Sequence, residues 1–155
     1  MTAPNRTARI TARLLKTPWL MRMPIGLYRV GLGWLLGDRL LMIEHLGRVS
    51  HTPRYVVVEV VERSHNVIRV ASGLGSGSQW YRNLRANGVA YLSIGRARRI
   101  RANVRFLSED EAAASFARYA AAHPQAWEQL SAAMEAATGS TAPAPMVEFT
   151  PPGLR

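Results

Sequence analysis

Residues able to carry chemistry are few in kind in this chain. There are four histidines, His45, His51, His65 and His123, and no cysteine. Without thiols there is no disulfide scaffold, no Cys-ligated zinc or iron–sulfur centre and no cysteine nucleophile. The absence of cysteine also fits a reducing cytoplasm. No histidine has a metal-site partner three or four residues away, and no acid completes a cluster, so no metal site is expected. Nothing reads as a nucleophile elbow or a Ser/His/Asp set, and no catalytic side chain is assigned. Glu44 and Glu59 fall in strand-like runs and could face inward, paired to arginine; such pairs are structural more often than catalytic.

Positive charge is the abundant chemistry. Against 10 acids the 155 residues carry 19 Arg and one Lys, a net charge of +10. Residues 1–54 hold +7 and residues 55–105 another +7, while residues 106–155 hold −4. That polarity asks for an anionic partner: nucleic acid, anionic lipid, or a phosphorylated or carboxylated ligand. Arginine meets carboxylate and phosphate with a planar fork; high-GC codon usage is the competing cause of the excess of Arg over Lys. Arg96, Arg98, Arg99, Arg101 and Arg105 crowd one strand-like stretch. Alternation there separates Arg99, Arg101 and Arg105 from Arg96 and Arg98 on the opposite face. No aromatic platform is interleaved, so a solvated basic face is expected and nucleic acid is not the favoured partner.

Two further features could meet a ligand. Gly73-Leu-Gly-Ser-Gly77 lies between a strand and a helix. Its amides could cradle an anion or approach a flat ring closely, or the segment is simply a flexible turn. It lacks the dinucleotide fingerprint and the P-loop lysine. Trp80 and Tyr81 open the following helix beside Arg82 and Arg85, as ligand contacts or as core with a snorkelling shell.

The elements that must position these residues alternate in period. Residues 1–37 read as an N-terminal helical segment broken near Pro18 or Pro24. Strands are expected at Leu40 to Leu46, Arg54 to Arg63 and Val67 to Ala71, the last two joined as a hairpin through Ser64-His65-Asn66. Ser78 is placed to cap a helix from Gln79 to Ala86, ended by Asn87-Gly88. Strands at Val89 to Ile94 and Ala97 to Leu107 come next. Ser108 then caps a helix with Glu109, Asp110 and Glu111 in its first turn. That helix runs to Ala122, Pro124 starts another ending near Gly139, and Met146 to Phe149 closes the order as a strand. Length and order predict one α+β domain over residues 1–155, with about six mostly antiparallel strands curled into a barrel that hides its edges.

Three blocks in order resemble one family, the deazaflavin-dependent nitroreductases of the flavin/deazaflavin oxidoreductases with split β-barrel folds. Gly47-Arg-Val-Ser-His-Thr-Pro-Arg54 resembles its G-R-x-[ST]-G-x-P-R turn. Val70-Ala-Ser-Gly73 resembles its A-S loop after a strand, and Gln79-Trp-Tyr-Arg-Asn-Leu-Arg-Ala-Asn87 its W-Y-x-N-L-x-A-N helix. The resemblance implies coenzyme F-420, a hydride-carrying deazaflavin whose tail bears a phosphate and glutamates, with FMN the less favoured flavin. Carried over residue by residue, Arg48, Val49 and Ser50 match the turn that binds the phosphate and tail. Arg54, Tyr55, Val56, Val57 and Val58 match the strand edge lining the cofactor. Val70, Ala71, Ser72 and Gly73 match the loop against the ring, and Gln79, Trp80, Tyr81, Arg82 and Asn83 the helix start that closes over it. Arg48, inside the polar turn, is expected to hold the tail ahead of Arg54.

The chain departs from the family pattern at three places. His51 stands where many members have Gly, Gly73 where they have or adjoin a Lys, and Ala126 where nitro-reducing members carry a Tyr. Arg82 or Arg85 are the candidates to replace the missing cation. The implied activity is hydride transfer between reduced deazaflavin and a hydrophobic, quinone-like or unsaturated acceptor, with a homodimer as an expected assembly. The alternative is a non-catalytic cofactor or fatty-acyl carrier. It is motivated by Trp19, Leu20, Met21 and Ile25 beside Arg9, Arg13, Lys16 and Arg22, a segment that could lie on an anionic membrane surface on the cytoplasmic face.

Overall fold

β-branched runs punctuated by glycine turns set the architecture over residues 38–152, which the computed structural model describes. The expected helical segment 1–37 lies outside the described residues. The strands are β1 (Leu40–Leu46), β2 (Pro53–Ser64), β3 (Val67–Ala71), β4 (Val89–Ile94), β5 (Ala97–Phe106) and β6 (Met146–Thr150). The helices are α1 (Gln79–Asn87) between β3 and β4, and α2 (Glu109–Ala122) with α3 (Pro124–Thr138) between β5 and β6. Every pairing is antiparallel, and the order β1-β2-β3-β6-β5-β4 returns to β1 as a closed barrel. Closure gives every strand two paired neighbours, β2 meeting β1 through residues 53–59 and β3 through residues 60–64.

The barrel interior is filled by alternate residues: Leu41 and Ile43 from β1, Ile68 and Val70 from β3, Leu92 from β4, and Phe149 from β6, each at most 1 % exposed. Full burial of such side chains contributes about 1.5–3 kcal/mol apiece. A second cluster outside the barrel, Phe116, Met134 and Met146 with Trp127 and Leu130 against it, seats α2 and α3. Helix α2 has the expected start: Ser108 accepts from the Glu111 N–H, and the Glu111 carboxylate accepts from the Ser108 N–H.

The same helix is tied to the barrel by charge. Glu148 on β6, 9 % exposed, accepts from Arg69 Nε at 2.8 Å and from Arg105 Nε at 3.0 Å. Arg69 also donates to Glu62 and to Ser115 on α2, and Arg118 on α2 donates to Glu62. Together the guanidiniums hold the Glu62 carboxyl down at about 2, the Arg118 bond contributing most.

Three expectations change. Helix α1 starts at Gln79 with Ser78 in the capping position, yet the Ser78 side chain makes no cap bond, because its hydroxyl turns to Ser72 Oγ at 2.6 Å. Asn87 belongs to α1, and Gly88, left-handed at φ 69°, ends it. The basic strand is not split between two faces: Arg96, Arg98, Arg99, Arg101 and Arg105 are all exposed. The pairing register of β4 and β5 shifts between Leu92 and Ile94, and Arg99 takes a φ of 49°, so an extra residue resets the alternation. Arg99 is held there by a two-pronged bond to the buried Glu44 at 2.9 and 3.2 Å, and its guanidinium lies 4.2 Å from the Tyr91 ring centroid.

Candidate functional site

Three chain segments converge outside β2. The first is the β1–β2 turn. Gly47 N–H donates to Thr52 O and His51 N–H to Gly47 O, both at 2.9 Å. A Cβ at Gly47 would collide with Ser50 Oγ and press on Arg54 Nε, so any larger residue there must displace the Ser50 side chain. His51 sits in the left-handed region at φ 55°, which explains why the family pattern has Gly there.

The second segment is the glycine loop after β3. Ser72 is fully buried and staples the loop, its hydroxyl on Gly75 O and on Ser78 Oγ at 2.6 Å each, while Gly75 takes a φ of 87°. The loop is thus a fixed hydrogen-bonded turn leading into α1. The third is the start of α1 itself. The side-chain oxygen of Asn83, a residue 3 % exposed, accepts from the Arg48 backbone N–H at 3.1 Å and from Arg48 Nη1 at 2.9 Å. Arg48 Nη1 also donates to Gln79 Oε1 at 2.9 Å. The β1–β2 turn and α1 are therefore locked to one another.

Between these segments and α3 lies a cavity of about 660 Å³. Its wall runs along β2 from Arg54 to Glu59 and Val61, then over Ala71, Gly73 and Leu74, the α1 start from Ser78 to Trp80, and Leu130 and Met134 of α3. Of the residues expected at a cofactor site, Arg54, Tyr55, Val56, Val57, Val58, Ala71, Gly73, Gln79 and Trp80 line it. The others do not. Arg48 and Asn83 brace the turn from behind. Val49 is 86 % exposed, and Ser50 and Arg82 are exposed as well. Val70 and Ser72 are fully buried, and Tyr81 packs edge-on against Phe106 at 5.2 Å. Arg85 lies over that Phe106 ring at 5.0 Å, so neither it nor Arg82 brings a cation to the cavity. Arg54 does, and it forms no ion pair among the described residues.

His45, Leu130 and Met134 were not legible as site residues. His45 follows Leu41 and Ile43 on alternate positions of β1, which was the available signal. It is 4 % exposed, lines the cavity, and stands opposite Arg54 in the β1–β2 register. Burial, helped by the Arg54 charge, lowers its pKa to about 4, so the imidazole is neutral at ordinary pH. Glu44 and Glu59 are occupied structurally, Glu44 by Arg99 and Glu59 by Arg39 and the Tyr119 hydroxyl. Neither holds Arg54.

The donor set suits an anionic, flat cofactor. The walls include Val56, Val57, Val58, Val61, Trp80 and the backbone of Gly73 and Gly77, surfaces that accept a ring. Arg54 supplies fixed positive charge beside them, and the volume falls in the range of ordinary ligand sites. Among the described residues no helix is long and apolar enough to cross a membrane.

Comparison with known proteins agrees with that fit. No curated protein matches the chain. Among solved structures, an F420-H2 dependent reductase (FDR-A) superposes with a TM-score of 0.53 at 19 % identity, covering 73 % of this chain and 95 % of its own. A chain described as a domain-swapped dimer gives 0.54 at 19 % identity, covering 73 % and 81 %. A protein of unknown function from Agrobacterium tumefaciens gives 0.53 at 16 % identity, covering 83 % and 55 %. These likenesses establish the fold as a split barrel. The family model for F420H(2)-dependent quinone reductase matches residues 19–136. The chain therefore belongs to the F420H(2)-dependent quinone reductase family and is a coenzyme F-420-dependent oxidoreductase.

Proposed function

We propose that the cavity outside β2 seats the deazaflavin and that the acceptor beside it is a hydrophobic, quinone-like molecule. The observation that carries this is the composition of one wall: a valine-rich strand face and Trp80, with Arg54 at the strand's start, which has no ion pair among the described residues. When bound, the reduced cofactor supplies the hydride, so no side chain need act as a nucleophile. The protein's own work is positional. The Gly73 backbone and the β2 edge sandwich a planar group, Trp80 and Met134 keep water from it, and Arg54 neutralises an anionic tail. Arg48 serves by holding α1 against the turn, so that the wall keeps its shape.

The family's quinone reductase activity supports a quinone as acceptor. A homodimer is the assembly proposed, with the domain-swapped relative in support. A cytoplasmic location, residues 1–155 as one domain, and contact of residues 1–37 with the barrel or an anionic membrane belong to the same proposal. Fluorescence titration with oxidised F-420, followed by oxidation of reduced F-420 in the presence of menadione or a nitroimidazole, tests it. Saturable binding and faster turnover with menadione are expected. Binding without turnover on any quinone would leave a carrier instead, and no binding at high micromolar cofactor would remove the cavity assignment.

A further inference from the structure

His45 has no assigned role, and the network around it fixes its chemistry. Asn83 has one side-chain oxygen, and that oxygen already accepts two N–H groups of Arg48, at 3.1 and 2.9 Å. The amide can be turned only one way: Nδ2 faces His45 Nδ1, at 3.1 Å. An amide nitrogen only donates, so Nδ1 must be the bare, accepting nitrogen and the proton of a neutral imidazole must sit on Nε2. Among the described residues Nε2 has no partner, and among them no side-chain nitrogen or oxygen is both sealed from solvent and unbonded. The residue's opening is the cavity it lines.

We propose that His45 is a positioning residue of the cofactor site: a neutral imidazole held in the Nε2–H tautomer by Asn83 and Arg48, which with Arg54 on the adjacent strand forms a donor pair for an anionic oxygen of the bound cofactor. This rests on the cavity being the F-420 site. The groups facing His45 are Arg54 from β2, Asn83 from α1 and, behind Asn83, Arg48 from the turn; none is acidic. The low pKa of His45 agrees with such surroundings. A neutral donor adds no pH dependence of its own to the affinity between about pH 6 and 8, unlike a binding site built on imidazolium.

The test uses the full chain and two readouts. Imidazole 15N–1H correlation spectra, assigned by the loss of one spin system in His45→Gln, report the tautomer without any cofactor. An Nε2–H tautomer with no titration from pH 8 down to 5.5 is expected; an Nδ1–H tautomer, or titration near 6.5, overturns the proposal. Titration with oxidised F-420 then compares wild type, His45→Phe and Asn83→Asp. His45→Phe should bind roughly tenfold more weakly, the loss expected for one hydrogen bond to a charged acceptor. Asn83→Asp keeps an acceptor for Arg48 and places a carboxylate against Nδ1, so binding should become pH-dependent as His45 begins to titrate. Wild-type binding with equal affinity in His45→Phe overturns the donor role alone. Failure of the wild type to bind overturns the cavity assignment instead, and the donor pair with it.

Discussion

Arg48 and Arg54 flank one turn, and truncating each to alanine should damage different properties. Arg48 Nη1 makes two bonds of 2.9 Å, to Asn83 and Gln79 on α1. The Asn83 bond is partly shielded and charge-assisted, worth about 1.5–2 kcal/mol; the exposed Gln79 bond adds little. Asn83 keeps the backbone N–H of residue 48, so no buried oxygen is orphaned. Arg48→Ala should therefore lose about 1.5–2 kcal/mol, a fall of about 3–8 °C in Tm for a chain of this size. Arg54 has no ion pair among the described residues and is exposed, so Arg54→Ala should change stability by no more than about 0.5 kcal/mol. Its cost should fall on F-420 affinity, about 1.5–3 kcal/mol, roughly tenfold to a hundredfold. Differential scanning fluorimetry and cofactor titration on both variants measure the two losses. Arg54→Ala with a lowered Tm and intact affinity would refute the assignment of Arg54 to the ligand.

The remaining predictions concern charge and strain. His45 releases its proton near pH 4 when folded and near 6.5 when unfolded. Below 6.5 the unfolded chain therefore takes up a proton that the native state does not, and stability, complete above that pH, falls by on the order of 2 kcal/mol at pH 5. Urea melts at pH 7 and 5 should show this slope in the wild type and a shallower one in His45→Gln. Glu62 acts in a lower window, its stabilisation fading only as pH drops below 4.5 towards 2, so it does not confuse the comparison. Glu148→Gln removes the charge that joins Arg69 and Arg105 and should cost about 2–3 kcal/mol by urea melt. His51→Gly relieves a left-handed residue at φ 55° and should stabilise the chain by about 0.5–1 kcal/mol after the entropy of the new glycine is offset; a loss of stability would mean that the His51 side chain holds the turn.

Local chemistry was legible where its partners were local. Val67 to Ala71 reads as a strand because β-branched residues alternate between turn signals, and Ser108 reads as a cap because its partner Glu111 is three residues away. Gly88 ends α1 for a reason that any glycine after a helical run carries. The bulge at Arg99 was not legible, because its cause is the register of β4 against β5 and the fork of Glu44, 55 residues upstream. Likewise histidine and acid spacing along the chain says nothing of His45, whose partner is an amide 38 residues on. Arg48 looked like a free hand in a polar turn; what occupies it is a helix that the sequence places 31 residues later.

One line of the sequence carried more than its secondary structure. Antiparallel strands with one wet face alternate, yet Tyr55-Val-Val-Val-Glu-Val-Val61 has apolar residues on both faces. Val56, Val58 and Val60 pack on the barrel core, which accounts for one set. Val57 and Val61 stand on the other face, where water would be the default neighbour, and both line the cavity, which Val56 and Val58 also reach. A strand that is apolar on its outer face must be covered by something. Part of the cover is α3, through Leu130 and Met134, and the space left between them is of ligand size. The cavity is therefore written in β2 as a failure of alternation: valines that would face water on an exposed strand become the wall of a ligand-sized space beside α3.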